Sequence, residues 1–179
     1  MRDRRFIAAH RGGSLKPADH KLLASWAADC AEHLLPLFER SSSDGRPRQA
    51  IEVGRAWARG EVRTGMAQRA AVAAHAAARH ADHDAAVAVA RAAGHAVATA
   101  HAADHCLGVV IYGAKAITAT GGSINEELAW QLARLPSRLR LLVTSAMNNR
   151  RFQATTAGTI FMCEKAVAGK RRNRGQDTR

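Results

Sequence analysis

The sequence predicts an all-α fold, a single compact domain of about six to eight helices arranged as an Ala-rich bundle or short helical array. Three observations predict it. A segment is written twice: Arg69–His83 reads RAAVAAHAAARHADH and Arg91–His105 reads RAAGHAVATAHAADH, sharing the Arg start and the Ala-Asp-His ending at an offset of 22 residues. Each copy reads as a helix followed by a stop, because alanine loses the least side-chain entropy in a helix and a short Asp can cap the next one. The second observation is compositional. Apolar residues make up 47% of the chain, but only four Phe, three Trp and one Tyr supply large rings. Strands want the β-branched and aromatic residues that are scarce here, whereas alanine lets helices approach closely. The third is periodicity: apolar residues recur at three- and four-residue steps. Two copies of a repeat fall short of the three that define a solenoid.

The elements follow in order. Residues 1–16 are basic and contain Gly12-Gly13, so they read as an N-terminal arm or loop. Pro17 suits the first position of a helix, where its missing N–H costs nothing. Leu22, Leu23, Trp26, Cys30, Leu34 and Phe38 continue that helix, which Pro36 should end or kink. Ser41–Gly45 is a loop by composition. Pro47 opens a second helix with Ala50, Ile51, Val53, Ala56 and Trp57 on its apolar side, and Gly60 stops it.

A third helix starts at Thr64 or Gly65 and carries Met66, Ala70, Ala73, Ala74 and Ala77–Ala81. Asp82 should cap a fourth running toward Ala102, with Gly94 marking a close approach of a neighbour. Asp104 should cap a fifth containing Leu107, Val110, Ile111, Ala114 and Ile117, closed by Gly121-Gly122. Ser123 and Glu126 have capping-box spacing and start a sixth helix to Leu135. Pro136 opens a seventh with Leu139, Leu142 and Val143 on one side. The helical domain thus spans 17–146. A basic C-terminal extension, 147–179, follows, with a further helix expected over Phe152–Val167 and disorder over Lys170–Arg179.

The net charge of +12 belongs mostly to the ends. Residues 1–16 carry Arg2, Arg4, Arg5, Arg11 and Lys16 against Asp3, and residues 147–179 carry eight basic against two acidic side chains. The middle is nearly neutral, which weakens the case for a dedicated phosphate-binding face. Cys30, Cys106 and Cys163 form no CxxC pair and point to a reducing cytosol. No signal peptide is legible, and the apolar run Cys106–Ala119 is shorter than the roughly 20 residues that span a bilayer, so no membrane partner is expected.

No enzyme motif is present. The chain lacks GxSxG, HExxH, P-loop and dinucleotide patterns. Glu126-Glu127 and Asp82/Asp84 sit at helix starts, where the macrodipole favours acids. His75, His80, His83, His95, His101 and His105 draw attention as metal ligands, His101 and His105 being four apart. The expected helix break at Asp104 argues against a shared metal, and packed or surface imidazoles bonded to backbone are the simpler account. No cofactor and no metal is expected. The candidate partner-binding residues are Arg46, Arg48, Arg55 and Trp57 of the second helix, with His75, Arg79, His101 and His105, since Arg and Trp dominate interface hot spots. A solvated basic face with Trp57 turned into the core is the competing account.

Arg46–Glu61 (RPRQAIEVGRAWARGE), Ala73–Arg79 (AAHAAAR), Arg91–His105 and Trp130–Pro136 (WQLARLP) carry a resemblance spanning about residues 10–146. The sequence resembles the immunity proteins of bacterial polymorphic toxin systems, in the immunity-family-five-like branch. The resemblance implies an all-helical cytosolic protein that binds a cognate protein toxin, and it brings no catalytic residue with it. Residues after Met147 fall outside the pattern. The expected function is therefore non-enzymatic: toxin neutralisation by occlusion. The alternatives are nucleic-acid binding through the basic arms, a metal-dependent hydrolase using His75, His101 and His105, and pairing with a second copy of the chain.

Overall fold

The computed structural model describes residues 3–148. The expected helix over Phe152–Val167 and the tail Lys170–Arg179 lie outside the described residues. Seven α-helices are present among the described residues: α1 (Pro17–Glu39), α2 (Arg46–Arg59), α3 (Thr64–His80), α4 (Asp84–Ala98), α5 (Cys106–Ala119), α6 (Ile124–Arg134) and α7 (Ser137–Met147). None of them is long and apolar enough to cross a membrane.

Helix α4 is the axis of the bundle and packs against α1, α2, α3 and α5. Its sequence DAAVAVARAAGHAVA explains this place. Ala86, Ala88, Val89, Ala90, Ala92, Ala93, Gly94, Ala96, Val97 and Ala98 are all buried, so apolar residues face outward on nearly every side. A helix apolar all round belongs inside. Small side chains lower its outer radius, and glycines at the crossings let neighbours come closer still. A Cβ on Gly54 of α2 would touch the Val97 backbone at 3.4 Å, and one on Gly94 would lie only 2.5 Å from His75 Cε1. The close approach expected at Gly94 is thus to an imidazole of α3. The large side chains, Trp26, Leu23, Leu34, Leu35 and Phe38, come from α1 and fill what the alanines leave open.

Several boundaries differ from the sequence reading. Helix α1 runs through Pro36 to Glu39. Pro36 lies on the exposed side within the last turn, so the carbonyl it deprives of a partner can be hydrated, and burial of Phe38 just beyond it holds the turn closed. Asp82 does not cap α4: the cap position is His83, without a side-chain bond, and Asp84 lies in the first turn. Asp104 does not cap α5 either. It falls in a one-turn 3-10 helix, Ala103–His105, that leads into α5. Helix α4 also ends at Ala98 rather than near Ala102, where Thr99 turns its hydroxyl back to the His95 carbonyl at 3.1 Å. Ser123 does cap α6, accepting from the Glu126 N–H at 3.3 Å. Gly60 closes α2 at φ 88°, in the left-handed region that glycine adopts without strain.

The N-terminal stretch lies against the helices as a strap. Phe6 and Leu15 are 2% and 4% exposed, and Ala9 N–H donates to Leu15 C=O at 2.9 Å. Arg5 reaches the Ser145 hydroxyl of α7 at 2.7 Å.

Candidate functional site

Sequence reasoning singled out residues from three places, and the structure distributes them over two neighbourhoods. His75 of α3, His105 of the short turn and His101 before it belong to a chain of imidazoles whose central link is His95 of α4. Ring centroids are 5.3 Å apart for His75–His95, 5.2 Å for His95–His105 and 5.0 Å for His101–His105. Tyr112 of α5 stacks on His95 at 5.2 Å. Glycines make the room: a Cβ on Gly108 would lie 2.4 Å from His95 Nδ1, as one on Gly94 would meet His75.

The electrostatics of the chain follow from its burial. His95 Nδ1 and His105 Nδ1 face each other at 3.1 Å, a contact that holds one proton between two nitrogens. Burial pulls the His95 pKa down to about 3, with the positive charge of His105, His75 and Arg91 adding to the effect. Burial, then Arg91 and Arg79, lowers His75 as well. His75 Nδ1 is buried without a hydrogen-bond partner among the described residues. A metal needs lone pairs converging on one point about 2.0–2.1 Å from each nitrogen. Among the described residues no three His, Cys, Asp or Glu side chains are so arranged, and these rings meet pairwise along a line.

The arginines of α2 are engaged within the chain. Arg46 pairs with Asp44, Arg48 with Glu39 at 2.7 Å, and Arg55 with Asp29 at 2.7 Å and Glu32 at 2.6 Å. Arg79 is exposed and reaches back to the His75 carbonyl of its own helix. Trp57 is half-buried, donating to the Thr64 hydroxyl at 3.2 Å with its ring against His20 at 4.9 Å. It shares a cavity of about 100 Å³ with His101.

Sequence reasoning missed a second cluster. Asp29, Glu32 and His33 of α1, Arg55 of α2, and Trp130 and Arg134 of α6 line a surface cleft of about 420 Å³. The His33 ring and the Arg134 guanidinium each lie 3.6 Å from the Trp130 ring. Two planar groups at that distance cannot share one face, so they clamp the indole from both sides. Behind the clamp, Glu127 is 6% exposed. Its Oε2 meets His33 Nε2 at 3.2 Å, and its Oε1 accepts from Gln131 Nε2 at 2.7 Å. The Gln131 carbonyl in turn accepts from Trp26 Nε1 at 2.8 Å. A buried carboxylate is costly unless bonded on every side; here it fixes a surface side chain. The Trp130/Arg134 spacing of four was the one legible sign, since such positions share a helix face. His33 lies about a hundred positions away and could not be joined to them.

The family model described as Imm-5 like putative immunity protein matches residues 13–138. No curated protein and no solved structure matches the chain.

Proposed function

Since the chain belongs to the Imm-5 like putative immunity protein family, we propose that it neutralises a cognate protein toxin by occlusion, using a preformed face and no chemistry of its own. The observation that best supports this reading is the clamped indole of Trp130 in its cleft between α1, α2 and α6. Binding is opposed by the entropy of ordering side chains at the interface. Here much of that ordering is already done, because His33 is pinned to buried Glu127 and the Arg134 guanidinium is held 3.6 Å from the ring. Trp and Arg are also the side chains whose truncation most often costs an interface several kcal/mol. In this mechanism the cleft rim, Asp29, Glu32 and Arg55, sets orientation through charge, while Trp130 supplies the buried contact at the centre.

The test is protection in cells. The chain is co-expressed with the products of genes adjacent to its own, and survival is scored. The wild type restores growth against one of them and co-purifies with it, whereas Trp130→Ala loses both while keeping its helical content. A chain that leaves every toxin-expressing culture unprotected removes the proposal.

A further inference from the structure

We propose that the partly open cavity between the N-terminal strap, α1, α2 and the turn after α4 is a binding site for a small oxyanion group, a carboxylate or a phosphate. This goes beyond the toxin-binding reading and does not depend on it, since the cavity and the Trp130 cleft share no lining residue.

The first argument is the composition of the walls. His10 and Arg11 come from the strap, His20 from α1, Trp57 from α2, Thr64 from α3 and His101 from the turn, and no carboxylate lines the space. That distinguishes it from the arginine-bearing face of α2. Arg46, Arg48, Arg55 and Arg59 each face an acidic side chain, but the described side-chain bond of Arg11 runs from Nη1 to the His101 carbonyl at 3.3 Å. A guanidinium held at a cavity wall by a neutral carbonyl keeps the rest of its donor fork for something else.

The second argument is the direction of the hydrogen bonds. The Thr64 hydroxyl oxygen already accepts from Trp57 Nε1 at 3.2 Å, so its own hydrogen remains to be donated. His20 Nε2 lies 2.6 Å from the Thr99 carbonyl, which only accepts, so that nitrogen carries the proton. The Trp57 and His20 N–H groups are both spent in these bonds, so the donor that this side of the cavity leaves toward the space is the Thr64 hydroxyl. The local field has the same sign: after burial and the Thr99 bond, the charges of His10 and Arg11 act to push His20 toward its neutral form.

The third argument is size and rigidity. The volume is about 100 Å³. A single water needs only about 10–15 Å³ on this scale, so a group of several heavy atoms fits. The strap that closes the site is anchored through Phe6 and Leu15 and through the bond from Leu15 N–H to Ile7 C=O at 3.1 Å. The backbone that carries Arg11 is therefore preformed, and the anion orders only the exposed Arg11 side chain.

The oxyanion can be a free ion or an acidic side chain of a protein partner, and two probes separate these. Full-length protein, labelled with ¹⁵N, is titrated at constant ionic strength with inorganic phosphate and, separately, with the peptide acetyl-Gly-Asp-Gly-amide, while the three indole N–H signals are followed. A saturable shift of Trp57 with Trp130 unmoved is expected from at least one probe. Phosphate alone identifies a free ion, the peptide alone a side-chain carboxylate, and both together a site open to either. Arg11→Gln should weaken the apparent affinity by about tenfold, the worth of one charge-assisted hydrogen bond. Thr64→Val, which removes the free hydroxyl, provides a second measure should the strap loosen in the first variant. No saturable shift from either probe, or shifts undiminished in both variants, overturns the proposal. Loss of protection in cells with intact anion binding would sink only the toxin reading.

Discussion

His95 and His105 hold their Nδ1 atoms 3.1 Å apart inside the seam between α4 and α5, so one of the two nitrogens must be without a proton. Acid therefore works against this contact. The folded pKa of His95 is held down at about 3, chiefly by burial, against an ordinary value of 6.5. Between those values the unfolded chain binds a proton that the folded chain refuses, so stability is full above about pH 6.5 and falls as pH drops through the window. Each pH unit there costs up to about 1.4 kcal/mol per proton. Urea unfolding between pH 7.5 and 4 should show this slope, and His95→Gln should flatten it. Parallel curves for the two proteins would contradict the assignment.

Gly108→Ala sets two effects against each other. Alanine gains about 1 kcal/mol in helix propensity over glycine. Its Cβ, however, would lie 2.4 Å from His95 Nδ1, on a ring already wedged against His105 and Tyr112. Overpacking of that kind costs about 1–3 kcal/mol. We expect net destabilisation of about 1 kcal/mol by thermal unfolding, relieved when His95→Ala is added, because the clash then has no second partner. Gly94→Ala should cost less, since the His75 ring meets one aromatic neighbour, His95, whereas the His95 ring is also held by His105 and Tyr112.

Glu127→Ala should unpin the surface cluster. The substitution leaves the Gln131 amide, 1% exposed, without its acceptor, a loss of about 1–3 kcal/mol. His33 loses its tether at the same time, so the emission of Trp130 should change although residue 127 is itself buried. Glu127→Gln keeps an acceptor for Gln131 and should retain most of the stability while still weakening the hold on His33. Equal losses in both variants would mean that the carboxylate charge has no part in positioning the ring.

The arginines of α2 are expected to differ in what they contribute. Arg48→Ala removes one exposed ion pair and should change stability by less than about 1 kcal/mol. Arg55→Ala leaves Asp29 and Glu32, one turn apart on α1, facing each other without their shared guanidinium. Denaturant midpoints should fall further for Arg55→Ala than for Arg48→Ala, and the gap should shrink at high salt as the carboxylates are screened.

The all-helical fold was legible because alanine and three- to four-residue periodicity act locally, each residue voting on its own backbone. Gly94 could even be read as a point of close approach, although nothing nearby in sequence said that the visitor was His75. Pro36 does not end α1 for a reason of place: one lost bond in a solvent-facing final turn is a small penalty beside the burial of Phe38. Asp82 and Asp104 have the right chemistry for caps but each misses the cap position by one residue, a spacing that helix packing rather than propensity decides. The cleft around Trp130 was out of reach because its parts come from α1, α2 and α6. Glu127 was read as a helix-start acid. Its burial depends on Gln131 and His33, and only the docking of α6 against α1 brings the three together.

The sheathing of α4 by four other helices has a consequence for how the molecule comes apart. An element enclosed by α1, α2, α3 and α5 cannot be released one contact at a time, because each helix that peels away exposes the same alanine surface that held the remaining three. Loosening should then be all-or-none, with the amide hydrogens of α4 trading with solvent only when the whole bundle opens. In the proposed toxin-binding role, a molecule of this design would meet its partner as a finished shape to which the partner conforms.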